Sequence, residues 1–153
     1  MESIQTGFTE TFLRIINKFK VLEKIPLDHG VGELLYASEI NTLDIIGKYA
    51  GINMTQLAEK RGVTIGAVSQ VVAKLVKKQL VQKNHTVGSR KELSLHVTDL
   101  GSIALRNHDT FHAHYDQPMI DKVGEMNSEQ LRTILDVFQL LEKTIDSYLN
   151  DLQ

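Results

Sequence analysis

The sequence has 153 residues, about one domain's worth, and its 42% apolar and 24% charged residues are typical of a globular protein. These values exclude an intrinsically disordered chain, and no apolar run approaches the roughly 18 residues of a membrane helix. The absence of cysteine excludes disulfides, cysteine-ligated zinc and a thiol redox switch. Because the first residues, MESIQTGFTE, lack the basic and apolar regions of a secretory signal, we expect a cytoplasmic protein.

Positive charge is concentrated in one segment of an otherwise acidic chain. The net charge is −2, but the segment from residue 60 to residue 91 contains eight basic residues and no acidic one. These are Lys60, Arg61, Lys74, Lys77, Lys78, Lys83, Arg90 and Lys91. A basic segment in an acidic protein indicates a face that meets a polyanion. A lysine-rich solvated surface is the plainer alternative.

Apolar residues at steps of three and four predict two helices in the first third of the chain. The first ends near Lys24, before Pro26, and its apolar face comprises Phe8, Phe12, Ile15, Phe19 and Leu22. The second covers Ser38 to Tyr49, with Ile40, Leu43, Ile45 and Ile46 as its apolar positions.

Two closely spaced helices follow. Asn53 is a good N-cap with Gln56 three residues later, and Gly62 ends the short helix Met54–Arg61. Thr64 then caps a longer helix that reaches about Lys78. Its predicted buried stripe is Val68, Val71, Val72, Leu75 and Val76. Two helices joined by a short turn that contains glycine form a helix-turn-helix.

The period then changes from 3.6 to 2, which predicts a β-hairpin. Residues 80–86 form its first strand and residues 92–98 its second, joined by the polar tip Val87-Gly88-Ser89-Arg90-Lys91. In the second strand we expect Leu93, Leu95 and Val97 on one face and Ser94, His96 and Thr98 on the other. A helix-turn-helix followed by such a hairpin is a winged helix.

The last third of the chain returns to helix. One helix is predicted from Asp99 to about Gln117, where Pro118 interrupts it, and Ser128 caps a final helix. The final helix carries coiled-coil-like apolar positions, Leu131, Ile134, Phe138, Leu141, Ile145, Tyr148 and Leu152. We expect the two terminal helices to pack on one another, and a homodimer to cover both stripes.

The residues in this order and spacing resemble the MarR family of winged-helix transcriptional regulators. The stretches that carry the resemblance are Met54–Glu59, Val63–Gln70, Leu75–Val81 and Leu95–Gly101. The resemblance covers nearly the whole chain and implies a mainly α fold with a β-hairpin wing. It also implies a homodimeric, cytoplasmic regulator, by family habit a repressor, that binds pseudo-palindromic double-stranded DNA and responds to a small-molecule effector. Residues 1–37 and 99–153 would form the helical dimerisation region, and residues 38–98 the winged DNA-binding region.

The second helix of a helix-turn-helix lies in the major groove, and its first residues reach base edges. The candidate DNA-binding residues of this helix are Thr64, Ile65, Gly66, Ser69 and Gln70. Gln70 can pair with adenine, Ser69 with a base or a phosphate, and Ile65 with a thymine methyl group. Thr64 is equally explained as an N-cap, and Ser69 as a packing residue.

Basic residues farther along favour the DNA backbone and the minor groove. Lys74, Lys77 and Lys78 suit phosphate contacts, although cations also complement the end of a helix. Arg90 and Lys91 lie at the wing tip, where an arginine can enter a narrow minor groove. The family's wing usually carries Asp-x-Arg, and here Gly88-Ser89-Arg90 stand in that place, so the arginine lacks its acidic neighbour.

Histidines suggest a second kind of site. His108 and His112 stand four residues apart on one helical face, a spacing that suits a transition metal. By resemblance to zinc-sensing MarR proteins, Glu23 would be a third ligand, whereas Asn41 stands where a histidine is expected and His29 is the only obvious substitute. A zinc-responsive regulator is therefore one alternative, and a solvated histidine cluster at the dimer interface is another.

Two further alternatives belong to other functional classes. A small metal-dependent hydrolase built on His108, His112 and Asp116 would need a further ligand and a general base, and the sequence contains no H-E-x-x-H pattern. A protein-docking winged helix has no need of the acid-free basic segment. We therefore expect no enzyme activity, and zinc is the one candidate cofactor, without a complete ligand set in the sequence.

Overall fold

The computed structural model describes residues 4–85 and 93–152. Within these ranges the elements are α1 (Ile4–Leu22), β1 (Leu27–Asp28), β2 (Leu34–Leu35), α2 (Ala37–Lys48), α3 (Met54–Arg61), α4 (Ile65–Lys77), β3 (Val81–His85), β4 (Leu93–Val97), α5 (Asp99–Gly124) and α6 (Ser128–Asp151). The mainly helical architecture with a small antiparallel hairpin confirms the predicted fold class. No helix of the described residues is long and apolar enough to cross a membrane.

The chain divides into two compact units, Met1–Thr110 and Phe111–Gln153. The core of the first unit lies where α2, α3, α4 and the hairpin of β3 and β4 meet. Each helix turns one stripe of its surface into this core, as expected of amphipathic helices. The fully buried apolar residues include Leu35, Leu43, Ile46, Leu57, Val68, Val72, Leu75, Leu80 and Leu95.

Local capping explains where α3 and α4 begin and end, and it confirms the predicted bounds to within one residue. The Asn53 side-chain oxygen accepts a hydrogen bond from the Gln56 N–H, and the Gln56 side-chain oxygen accepts one from the Asn53 N–H. Gly62 ends α3 in the left-handed region, at φ +62°. The Thr64 hydroxyl then accepts a hydrogen bond from the Ala67 N–H at 3.2 Å and starts α4.

A Schellman motif ends α4. Gln79 has φ +58°, the left-handed region that glycine normally occupies. The Leu80 N–H donates to the Leu75 carbonyl, and the Gln79 N–H donates to the Val76 carbonyl. Because Leu75 and Leu80 are also both fully buried, the end of this helix is tied to the core.

Two antiparallel strand pairs accompany the helices. The predicted wing hairpin is present, with Val81 opposite Val97 and His85 opposite Leu93. Its second strand departs from the expected alternation, because Leu93 is exposed whereas Ser94 is buried and donates to the Asn84 carbonyl. The pair β1 and β2 was not predicted, since two strands of two residues leave no periodic pattern.

Two predicted helix boundaries are wrong. Pro118 does not interrupt α5, which continues to Gly124. Proline removes one backbone hydrogen bond, and on this exposed part of the helix water can satisfy the carbonyl that loses its donor. The N-cap of α6 is Asn127 rather than Ser128, because its side chain accepts from the Glu129 and Gln130 N–H groups at 3.0 and 2.9 Å. Gln130 completes a capping box.

The helices α1 and α6 keep large apolar side chains exposed. No residue of α6 is buried, and its exposed apolar residues include Leu131, Ile134, Phe138, Ile145, Tyr148 and Leu152. Phe8, Ile15, Phe19 and Leu22 of α1 are likewise exposed. The predicted assignment of residues 1–37 and 99–153 to dimerisation, and of residues 38–98 to DNA binding, stays a prediction.

Candidate nucleic-acid interface

The helix α4 has one buried and one exposed face, and the candidate base-reading residues lie on the exposed one. Val68, Val72 and Leu75 are buried, as predicted, whereas Val71 is half-buried and Val76 is exposed. The exposed residues toward the start of the helix are Ile65, Gly66, Ser69 and Gln70, followed one turn later by Lys74.

The first turn of α4 leaves room for a close approach. The Ile65 side chain is 52% exposed. A Cβ added at Gly66 would meet no heavy atom closer than the Thr64 hydroxyl at 3.9 Å. Since the Thr64 hydroxyl oxygen caps the helix, its O–H alone is free to donate to a phosphate or a base.

Three exposed polar side chains of α4 are available to a partner. Among the described residues, no hydrogen bond or salt bridge engages the side chains of Ser69, Gln70 and Lys74. A glutamine amide offers a donor and an acceptor side by side, which matches the adenine edge in the major groove. This surface is the candidate interface.

The basic segment separates into residues that face solvent and residues that hold the fold. Lys74, Lys77 and Lys83 are exposed. Lys60 is exposed too, and its ammonium lies 3.7 Å from the centre of the Tyr49 ring, in a cation–π contact. Arg61 and Lys78 are half-buried, so counting charges along the sequence overestimates the charge available to a polyanion.

Arg61 joins α3 to α2. Its guanidinium donates to the Ser38 carbonyl at 2.8 Å and to the Thr42 hydroxyl. Partial burial lowers the pKa of Arg61 below its ordinary value, and the negative charge of Glu23 opposes that shift. Arg61 therefore stabilises the packing of the helix-turn-helix and does not belong to its exposed face.

Lys78 is the second basic residue committed to the fold. Its ammonium lies 2.8 Å from Glu39 Oε1 and donates to Glu39 Oε2 at 3.0 Å and to the Leu34 carbonyl at 2.9 Å. Sequence reasoning offered a phosphate contact or charge complementarity at the helix end, but the contacts assign Lys78 to an ion pair with a buried carboxylate. No local pattern reveals this pair, because its members are 39 residues apart.

The wing contributes only its two strands to the described structure. Arg90 and Lys91, the predicted minor-groove residues, lie outside the described residues, together with the rest of segment 86–92. Their role stays a prediction.

Histidine side chains form a contact in each of the two units. In the first unit, the rings of His29 and His108 meet edge to face with centroids 5.4 Å apart. In the second unit, His112 Nδ1 lies 2.7 Å from the Asp116 carboxylate. Among the described residues, no group of three or more histidine or acidic side chains is placed to hold a metal ion. The ligand set of Glu23, His108 and His112 stays a prediction.

Comparison with known proteins identifies the winged helix. Residues 35–93, which contain α2, α3, α4 and β3 and end at the first residue of β4, match the MarR family model. This part of the chain is similar to the MarR family. This finding confirms the resemblance drawn from the sequence, and the proteins to which the chain is similar are transcriptional regulators.

Relatives in this family share modest identity with the chain. The transcriptional regulator YhjH of Bacillus subtilis is 26% identical over 110 residues, covering 72% of this chain and 63% of YhjH. The regulator PchR of the same organism is 20% identical over 114 residues, covering 74% of this chain and 68% of PchR. The chain thus spans less than two thirds of the length of YhjH.

Solved structures of MarR proteins share the fold over almost the whole chain. FabT of Streptococcus pneumoniae in complex with DNA has a TM-score of 0.67 at 22% identity, covering 94% of this chain and 99% of FabT. ZitR of Lactococcus lactis in complex with DNA has a TM-score of 0.69 at 14% identity, covering 95% of this chain and 99% of ZitR. PcaV of Streptomyces coelicolor in complex with its natural ligand has a TM-score of 0.66 at 14% identity, covering 94% of this chain and 96% of PcaV.

Proposed function

We propose that this chain is a homodimeric transcriptional regulator of the MarR family that binds double-stranded DNA in a sequence-specific manner. The observation that carries the proposal is the exposed face of α4, where Ser69, Gln70 and Lys74 point away from the core of a helix-turn-helix. The second helix of that motif enters the major groove, and its first turns read base edges. The structures of FabT and ZitR in complex with DNA, which share the fold, support DNA as the partner.

Each exposed residue has a distinct role in this proposal. Gln70 pairs with an adenine edge, Ser69 donates to a base or phosphate, and Ile65 contacts a thymine methyl group. Gly66 allows the backbone to approach the groove, and the Thr64 hydroxyl donates to the flanking backbone. Lys74 neutralises a phosphate, and the wing residues Arg90 and Lys91 enter the minor groove.

No arginine stands among the groove-facing residues of α4, so the strongest guanine-reading side chain is absent. Much of the preference between operators is therefore expected from groove shape and DNA deformability.

Exposed apolar surface supports the homodimer. An exposed aromatic and aliphatic stripe such as that of α6 is unfavourable in water, and a second copy of the same chain supplies a self-complementary stripe. Two copies present two α4 helices, which suits a pseudo-palindromic operator with half-sites about one turn apart.

Further parts of the proposal rest on the family. A small-molecule effector modulates DNA affinity, repression is the expected sign of regulation, and the protein is no enzyme. PcaV, crystallised with a natural ligand, supports the effector. The expected cytoplasmic location follows from DNA as the partner. Zinc is the second candidate effector, which the His29–His108 contact and the zinc-responsive neighbour ZitR favour.

The test is fluorescence anisotropy with duplexes of about 30 base pairs selected by the purified protein from a random pool, long enough for two half-sites. We expect log K to fall linearly with log salt. Lys74→Ala should reduce that slope by about 0.9 per protomer bound and weaken binding to all duplexes alike. Lys143→Ala, an exposed lysine of α6, is the matched control and should leave the slope unchanged.

The outcomes separate the alternatives. Failure to select any duplex, with or without added zinc, contradicts DNA binding and favours a protein-docking winged helix. A gain in affinity on adding zinc that disappears in His108→Gln supports the zinc-responsive regulator. A wild-type slope in Lys74→Ala removes this residue from the phosphate contacts.

A further inference from the structure

The C-terminal end of α4 is held from two sides by one lysine. Lys78 is its C-cap residue, and its side chain is only 17% exposed. The ammonium spans the Glu39 carboxylate in the first turn of α2 and the Leu34 carbonyl of β2. It therefore ties the end of α4 to two other elements, which a lysine kept for phosphate contact does not do.

The carboxylate that receives Lys78 is fixed. The Glu39 side chain is 2% exposed, and its Oε2 also accepts a hydrogen bond from the Tyr36 N–H at 2.9 Å. That bond closes the first turn of α2, in the manner of the acidic half of a capping box. Glu39 is therefore held by its own helix, and Lys78 is held to it.

The second anchor is fixed as well. Leu34 belongs to the two-residue strand β2, which pairs with β1, and its neighbour Leu35 is buried in the core. The loop between these strands is tied down at His29, whose carbonyl accepts from the Asn107 side chain at 2.8 Å. The Leu34 carbonyl thus belongs to a segment that is held by the core at Leu35 and by α5 at His29.

We propose that Lys78, through its contacts with Glu39 and Leu34, is a positioning residue that sets the orientation of α4 for reading base edges. The assignment rests on the proposed DNA-binding function, and it goes beyond it because Lys78 touches no DNA in this scheme. Base readout needs side chains held within a fraction of an ångström, whereas phosphate attraction tolerates misplacement. Lys78 therefore contributes to sequence preference and leaves the electrostatic part of binding to Lys74 and the wing.

The test compares the wild-type protein with a variant in the ratio of its affinities for a selected and a scrambled duplex. The variant is Lys78→Met in a Glu39→Gln background, which removes the ammonium without leaving a buried carboxylate unpaired. Its affinity is measured for a duplex selected by the wild-type protein and for a scrambled duplex of the same length. We expect the preference for the selected duplex to fall about tenfold, the size of losing one good base contact. Affinity for the scrambled duplex and the salt slope should stay at their wild-type values.

A matched control is Lys77→Met, the neighbouring and exposed lysine of the same helix. It should leave the ratio between the two duplexes unchanged, even if it lowers both affinities and the slope. A merely structural role of Lys78 would reduce the folded fraction and weaken both duplexes equally, with an unchanged ratio. That outcome overturns the proposal, and so does a salt slope reduced by about 0.9, which marks a phosphate contact.

If the double variant does not fold, the single variants Lys78→Gln and Glu39→Gln replace it. Each is assayed after circular dichroism shows helix content equal to that of the wild type. A reduced preference in either supports the proposal, and a wild-type preference in both contradicts it. If the wild-type protein selects no duplex, the proposed function fails first. That result differs from a failure of the positioning role, in which the wild-type protein still discriminates.

Discussion

The winged helix and the helix α6 differ in whether they bury their apolar side chains. Between Leu35 and Ala104 the chain buries most of its leucine side chains and leaves others such as Ile65, Val76 and Leu93 exposed, so this region carries its own core. Over its 24 residues α6 has a comparable apolar stripe but no buried residue. The same amphipathic periodicity in the sequence therefore corresponds to a buried core in the winged helix and to an exposed apolar surface in α6. The difference teaches that amphipathic periodicity predicts a helix but not what covers it.

The largest effect should come from the core. Leu75→Ala, at a fully buried position of α4, is expected to lower the free energy of unfolding by about 2–5 kcal/mol. Val76→Ala changes the next residue on the exposed side of the same helix and should cost less than about 1 kcal/mol. Urea unfolding measures both changes. Equal losses at the two positions would contradict the burial of one face of α4.

The next largest effect should be a loss of dimer affinity when the apolar stripe of α6 is changed. Phe138→Lys places a charge on a side chain that is 58% exposed in the single chain. We expect the dimer to weaken by about 2 kcal/mol or more, as for an aromatic interface residue. Sedimentation equilibrium measures the dissociation constant, and Gln139→Lys is the neighbouring control of equal charge. A dimer unaffected by Phe138→Lys would remove this stripe from the interface.

A smaller effect tests how tightly the end of the wing packs on α5. A Cβ at Gly101 would clash with the Leu80 carbonyl oxygen and lie 2.7 Å from Val97 Cγ1. Gly101→Ala should therefore cost about 1–3 kcal/mol of stability, as overpacking does. Gly66→Ala, where no atom lies closer than 3.9 Å, should be neutral or stabilising because alanine favours a helix. Thermal unfolding distinguishes the two, and a neutral Gly101→Ala would contradict the close approach.

The smallest effect concerns the ion pair between Lys48 and Asp44 on the surface of α2. Hydrogen bonding to Asp44 and its charge raise the pKa of Lys48 above 10.5. The pKa of Lys48 is thus higher in the folded state than in the unfolded state. The ion pair therefore stabilises the fold fully at a pH below the unfolded-state pKa, and this stabilisation is lost as the pH rises through the folded-state pKa. Since the lysine is exposed, Lys48→Met should cost only a few tenths of a kcal/mol at pH 7, and nothing at a pH above the raised pKa of Lys48. Urea unfolding at both pH values measures this, and a cost that grows with pH would contradict it.

Local chemistry made the winged helix predictable. The Asn53–Gln56 box, Gly62 and Thr64 are signals that act within four residues, so the bounds of α3 and α4 followed from them. Pro118 misled because its cost depends on solvent access to a carbonyl, which the sequence does not show. Asn127 and Ser128 are both good caps, and only the geometry of the turn selects the first.

The candidate site was predicted less completely than the fold. The exposed face of α4 followed from its period, which placed Ser69 and Gln70 opposite Val68 and Val72. The charge count did not separate Lys74 from Lys78, because the partner of Lys78 comes from a helix far away in sequence. Long-range pairs of this kind depend on the packing of α2 against α4, and no local pattern carries that information.

The uncovered stripe of α6 has a consequence for how the regulator would work at different cellular amounts. If two chains are needed to read both halves of an operator, the concentration of the active species grows with the square of the chain concentration when the chains are scarce. A twofold change in synthesis then becomes nearly a fourfold change in operator occupancy. The stripe would thus make the regulated genes respond to the dose of their own regulator more sharply than a single-chain DNA-binding protein allows.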